Sequence, residues 1–135
     1  MKTGKRSFPI VKCAFTFLPH DNGKAHLQTN AVADGAVCEW DDIRQAKAIN
    51  HYHLFVRRMT ERGDDPAALT QQLCDESSER IVILDEIGCG IVPMEKSERL
   101  WREQVGRCGC LLAAHADTVI RMVCGIPTAI KGELP

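Results

Sequence analysis

The sequence predicts one α/β domain built on a mainly parallel sheet, and three observations carry that prediction. Residues 81–84 and 118–124 form two apolar, β-branched runs that each meet glycine soon afterwards. Between them lies a stretch with helical spacing, and parallel neighbours require a long crossover of that kind because no tight hairpin can join them. The chain has 135 residues, enough for a single core and too few for two full domains.

Residues 1–33 contain Pro9, Pro19, Asn22, Gly23 and Asn30 with no sustained period, so they are expected to form an irregular N-terminal segment ahead of an α/β domain over residues 34–135. Within that segment residues 10–11 and 15–18 fit short strands, followed by a turn at His20-Asp21-Asn22-Gly23. From Glu39 onward Ile43, Ala46, Ile49, Val56 and Met59 recur at helical spacing, and Gly63 stops the pattern. Asp65 stands where an N-cap accepts backbone N–H bonds, and Pro66 fits the first helical position, where a missing N–H does no harm. Leu69 and Leu73 then give this helix a buried stripe. The run at 81–84 reads as a strand buried on both faces, ending in Asp85-Glu86. Leu100, Trp101, Val105, Leu111, Leu112 and Ala116 are the apolar set of a helix lying between Glu95 and Ala116. Gly106 and Gly109 weaken its middle by about 1 kcal/mol each relative to Ala, which predicts a kink or a close helix contact. Residues 118–124 are the second strand, interrupted by Arg121 and closed by Gly125-Ile126-Pro127.

Lys and Arg number 17 against 18 Asp and Glu, so no basic field exists to hold a nucleic-acid backbone, and nucleic acid is excluded as a partner. The apolar runs fall short of the roughly 18 residues a membrane span needs, and residues 14–18 are too short for an export signal. Seven cysteines, an odd number, fit reduced thiols in the cytoplasm better than a disulfide framework. Cys13, Cys38, Cys74 and Cys124 read as small hydrophobes, whereas Cys89, between two glycines, reads as an accessible thiol. His51-x-His53 and Cys108-x-Cys110 lack a second pair at zinc spacing, so neither is read as a metal site. Trp101 is expected in the core, Arg57, Arg58 and Arg62 on a solvated face, and His115 on a helix surface. Ligands of open parallel sheets sit beyond the carboxyl ends of the strands, near Asp85, Glu86, Gly88 and Gly125.

The strand end at Asp85-Glu86 resembles that of nucleotide-binding P-loop proteins, where a carboxylate holds Mg²⁺ or its waters. Residues 85–93, Asp-Glu-Ile-Gly-Cys-Gly-Ile-Val-Pro, closely resemble the pattern N-E-V-G-x-G-I-V-P of adenosylcobinamide kinase/adenosylcobinamide-phosphate guanylyltransferases, enzymes of cobalamin assembly. Gly106-Arg107 through Ala116-Asp117-Thr118-Val119, and then Gly125-Ile126-Pro127, follow the family's G-R-x-N-x-x-h-A-x-x-A-D-x-V and closing G-I-P in order and spacing. The likeness covers residues 81–132, with Gly109 standing where the family usually carries Asn. Upstream, residues 48–55 look like the family's h-h-D-C-L-T-L-W, with Asn50 in place of an Asp that contacts the guanine nucleotide. On that alignment residues 46–50 are a short strand and residues 52–62 the helix after it.

The resemblance implies a P-loop-type three-layer domain whose N-terminal strand and phosphate loop are degenerate or missing, because Gly4-Lys5-Arg6-Ser7 keeps only a G-K fragment of G-x-x-x-x-G-K-[ST]. It implies transfer of phosphoryl and GMP groups from nucleoside triphosphates to adenosylcobinamide, the second through a histidine intermediate. His20 and His26 lack that histidine's basic surroundings, so no nucleophile is carried over. GTP or ATP with Mg²⁺ are the implied co-substrates, and nucleotides and corrinoids the implied small-molecule partners. Glu86, with Asp85, is expected to organise Mg²⁺ or the substrate hydroxyl, and Asn50, Gly88, Gly90 and Lys5 to contact the nucleotide. The unpaired sheet edge that a missing first strand leaves predicts a homo-oligomer. The rival expectation, favoured by the unpatterned N-terminal residues, is a catalytically inactive or truncated paralogue serving as a binding or assembly subunit.

Overall fold

The computed structural model describes residues 9–13, 32–76 and 80–134. Its elements run β1 (Pro9–Cys13), β2 (Val32–Asp34), α1 (Trp40–Gln45), β3 (Ala48–Asn50), α2 (Tyr52–Arg62), α3 (Pro66–Asp75), β4 (Ile81–Asp85), α4 (Lys96–His115), β5 (Thr118–Val123) and β6 (Ile126–Lys131). One sheet takes all six strands in the order β2-β3-β4-β1-β5-β6, parallel throughout except for the β5–β6 hairpin. The α/β class with a mainly parallel sheet is therefore as expected.

The first strand, expected to be degenerate or missing, is present as a short strand that includes residues 10–11, where a strand was expected, and it lies at the centre of the sheet with Ile10 opposite Val82 on one side and Val119 on the other. It lies inside the segment expected to be irregular. Its five residues are too few to display a period, and Pro9 is tolerated as the first residue of a strand. What makes it a strand is pairing with partners about 70 and 110 residues away, which no local pattern reports. The strand expected at residues 15–18 lies outside the described residues.

The helical period seen from Glu39 to Arg62 is a composite of α1, β3 and α2. Ile43, Ala46, Ile49, Val56 and Met59 are all buried in the same core although three elements carry them. Gly63 closes α2 at φ 84°, a left-handed value that suits glycine. Asp65 caps α3 by accepting from Ala67 N–H at 3.0 Å and Ala68 N–H at 3.2 Å. The connections from β2 to β3, β3 to β4 and β4 to β5 all progress in one direction across the sheet, so right-handed crossovers place α1–α4 on one face. On that face Val82 and Leu84 are buried with Ile49, Phe55, Leu73, Val105, Cys108, Leu112 and Val119. Alternate residues of β4 are less covered, and Ile81 is 40% exposed. Burial of this strand on both faces is thus not what the described residues provide, since their helices cover one side.

Helix α4 runs unbroken through Gly106 and Gly109. Gly109 is buried, whereas Gly106 faces solvent with open space where a side chain would stand. The helix thus continues through both glycines, and buried Gly109 lies on the side of α4 that packs on the core with Val105, Cys108 and Leu112. After β5, Cys124 (φ 50°) and Gly125 (φ 76°) form a two-residue left-handed turn of the kind that suits strand twist. It leads into β6, a strand the sequence pattern did not disclose, since Pro127 interrupts it and most of its residues are exposed.

Arg58 and Arg62 do not merely face solvent. Arg62 grips Glu39 with two nitrogens at 2.8 and 3.0 Å, and Arg58 adds a third contact at 2.7 Å, tying the start of α1 to α2. These contacts, the Arg62 hydrogen bond first, hold the Glu39 carboxyl at about 2.

Two outcomes are expected. Replacing Gly106→Ala raises stability by about 0.5–1 kcal/mol in a denaturant melt, because it removes backbone entropy from the unfolded chain without meeting any atom. Glu39 keeps its charge into strong acid, so its contribution is complete above the ordinary glutamate range near ~4.3 and is lost as pH falls toward 2. An NMR titration of the Glu39 carboxyl reads this directly, and Arg62→Ala moves its midpoint up toward the ordinary value.

Candidate functional site

Parallel strands share one carboxyl edge, and here it is made by Asp34, Asn50 and Asp85 with the residues that follow them. Asp34 lies opposite Asn50, and Asp85 lies opposite Cys13, which is in turn opposite Met122. Strand β4 extends beyond β3, since Ile49 pairs with Val82.

Two histidines at the start of α2 serve different neighbours. His53 is 6% exposed, and its Nδ1 accepts the backbone N–H of Asp85 at 3.1 Å. That places the ring proton on Nε2, which faces Asp85 Oδ2 at 3.6 Å. The backbone carbonyl of His53 accepts Trp101 Nε1–H at 2.8 Å, and the two rings stack at 6.5 Å. Trp101 is thus a brace at the edge of the core, carrying Arg57 over its outer face at 4.6 Å. Arg57 is itself held by Glu98 at 2.6 Å and Glu61 at 3.0 Å, so it too is a bridging residue. Burial pushes the His53 ring below its ordinary pKa, against the pull of Asp85 and with the help of His51. His51 turns outward, and its Nδ1 lies 3.0 Å from Asp34 Oδ1.

The acidic pair stands at the end of β4 as expected. Asp85 and Glu86 have half-exposed side chains, and Glu86 Oε2 is 3.6 Å from Arg121 Nη2. Arg121, which interrupted the apolar pattern of its strand, therefore points to the edge. Asn50 is engaged locally: its Oδ1 accepts the His51 N–H at 2.9 Å, and its carbonyl accepts the Gly35 N–H at 2.8 Å. Gly88 and Gly90 lie in the loop before α4, and Gly90 has φ 95°. Arg102 donates to the carbonyls of Gly88 and Ile91, and Arg99 to those of Pro93 and Met94, so two guanidiniums of α4 hold this loop. Ile91 and Met94 remain more than 90% exposed. Cys89 is an exposed free thiol. Lys5 lies outside the described residues, and in chain order it precedes β1, whereas a phosphate loop follows its first strand. The structure thus brings Asp85, Glu86, Asn50, Gly88 and Gly90 to one edge.

Sequence reasoning missed Asp34, His51, His53 and Arg121 as edge residues. His51-x-His53 had been weighed only as a zinc pair, and no metal-holding group of His, Cys, Asp and Glu occurs among the described residues.

His53 has a pH consequence with a definite sign. An unfolded histidine titrates near ~6.5, and the buried ring titrates lower, so below that range the unfolded chain binds the extra proton. Stability is complete above ~6.5 and declines as pH falls toward the lower folded value. Thermal melts at pH 7.5 and 5.5 should show this loss in the parent chain and a smaller one in His53→Ala, whose own cost at pH 7.5 is about 1–3 kcal/mol.

The family model for cobinamide kinase/cobinamide phosphate guanyltransferase matches residues 46–130, more than half of the chain. The search of curated proteins found no match.

Proposed function

Because the chain belongs to the cobinamide kinase/cobinamide phosphate guanyltransferase family, we propose that it binds a nucleoside triphosphate at the carboxyl edge of the sheet and transfers phosphoryl and GMP groups to adenosylcobinamide. The observation that carries the reading is Asp85: it ends a central strand beside β1, its backbone is held by His53, and its carboxylate remains half-exposed. Asp85 and Glu86 are consecutive hard oxygen donors with room for outer ligands, which fits Mg²⁺, an ion that takes one or two carboxylates and completes its shell with phosphate oxygens and water. Bound there, Mg²⁺ neutralises phosphate charge.

The protein's own residues then have separable roles. Glu86 and Asp85 orient the phosphate end, and Arg121 balances Glu86 at 3.6 Å. The Gly88–Gly90 turn, clamped by Arg102, presents backbone to the nucleotide. Asn50 contacts the guanine nucleotide without the negative charge an Asp supplies, so GTP and ATP are both candidates. Gly23-Lys24 is the Gly-Lys pair that follows β1 in chain order, which favours Lys24 over Lys5 as the phosphate-neutralising lysine. The described cysteines are free thiols, which supports a cytoplasmic setting. Exposed Ile126 and Ile130 on edge strand β6 support a homo-oligomer. No described helix is long and apolar enough to cross a membrane.

A second reading, an inactive binding or assembly subunit, is favoured by the local engagement of Asn50 Oδ1 with the His51 N–H. Calorimetric titration with GTP and with ATP, each with Mg²⁺, separates the two. The transferase reading expects micromolar binding, weakened tenfold or more by Glu86→Ala and Lys24→Ala and unchanged by Lys5→Ala. Absence of binding at millimolar nucleotide leaves the subunit reading.

A further inference from the structure

Asp34 ends β2 and His51 follows β3, and the two meet through contacts that fix the imidazole ring. Asp34 Oδ1 lies 3.0 Å from His51 Nδ1 and also accepts the Ala36 N–H at 2.9 Å. That backbone hydrogen bond, foremost, holds the Asp34 carboxyl below its ordinary range. A carboxylate can only accept, so Nδ1 of the neutral ring carries the proton and the lone pair lies on Nε2. No described residue bonds to that nitrogen, and the side chain is 43% exposed.

The backbone beneath is constrained with equal care. His51 has φ 50°, a left-handed conformation that costs a residue other than glycine about 1 kcal/mol. The Gly35 N–H to Asn50 carbonyl bond and the Asn50 Oδ1 to His51 N–H bond hold it there. Gly35 approaches so closely that a Cβ on it would stand 2.3 Å from the His51 carbonyl oxygen. Such a turn suits Gly or Asn, so a strained histidine aimed outward and oriented by a carboxylate points to use of the ring.

We propose that His51, oriented by Asp34, is the proton acceptor for phosphoryl transfer to the substrate alcohol, a role that rests on the transferase reading above. Nε2 takes the hydroxyl proton as the alcohol oxygen bonds to the γ-phosphorus. The bond from that phosphorus to its bridging oxygen breaks, and the electron pair leaves with the nucleoside diphosphate. The groups facing His51 are Asp34 from β2 and His53 from α2, whose ring lies edge-on at 5.9 Å, with Asp85 of β4 beyond His53. Arg58 of α2 holds the Gly35 and Cys38 carbonyls of the adjoining loop.

The test uses His51→Asn, because Asn accepts a left-handed backbone and its amide can still donate to Asp34, while no basic nitrogen remains. With adenosylcobinamide and either GTP or ATP plus Mg²⁺, this variant should keep the parent melting temperature and nucleotide affinity and lose about 100- to 10,000-fold in kcat. Asp34→Asn, which no longer fixes the proton on Nδ1, should lower kcat and let the Nε2-protonated tautomer of His51 appear. In ¹⁵N-labelled protein at pH 8, the His51 ring should show Nδ1 protonated and Nε2 bare. The opposite tautomer overturns the assignment. Turnover within threefold of the parent in His51→Asn overturns the base while leaving the transferase reading in place. A parent chain that binds nucleotide but never phosphorylates adenosylcobinamide overturns both.

Discussion

Parallel pairing across β2, β3, β4, β1 and β5 is the constraint on which the molecule depends. Each parallel strand must be reached by a crossover that returns the chain to the opposite edge, so strand ends collect along one side and helices begin just beyond them. Asp34, Asn50 and Asp85 are distant in sequence and neighbours in the fold for that reason alone. β1 sits in the middle of this arrangement and closes it, joining β4 to β5. Without it, the strand carrying Asp85 and the strand carrying Arg121 would have no common partner.

The two histidines illustrate how position selects chemistry for one residue type. His53 accepts from the Asp85 backbone and keeps its proton on the nitrogen toward the Asp85 carboxylate. His51 meets an acceptor on its other nitrogen and so keeps the opposite tautomer. One ring steadies a strand end and is sheltered from water, while the other is presented to it. The separation arises because the chain turns left-handed at His51 and right-handed immediately after, at the first residue of α2.

Much of this was legible beforehand, for identifiable reasons. α3 was marked by Asp65 and Pro66, whose capping chemistry is local, and β4 by an uninterrupted β-branched run ending in carboxylates. β1 was legible only as a short strand at residues 10–11, because Pro9 and Lys12 break up its apolar run, and β2 was obscure because three residues cannot display a period and its pairing is remote. β6 was obscure because its burial is slight and the turn residues Cys124-Gly125 include a non-glycine in the left-handed region. The glycine-rich motif pointed to Asp85, Glu86, Gly88 and Gly90, which the fold places at and just beyond the end of β4. Asp34 and His51 carried no motif, since their relation is a hydrogen bond between neighbouring strand ends, and Asn50 gave no warning that its oxygen is turned toward the His51 N–H.

Lys131, at the end of β6, donates to the carbonyls of Ala113 and Ala114 at 2.9 and 3.2 Å, where the last turn of α4 would otherwise leave acceptors unmet. The longest described helix is therefore finished by a residue that is synthesised well after it. Lys131 thereby ties the last turn of α4 to the end of the hairpin, so that opening of one exposes the unmet carbonyls of the other.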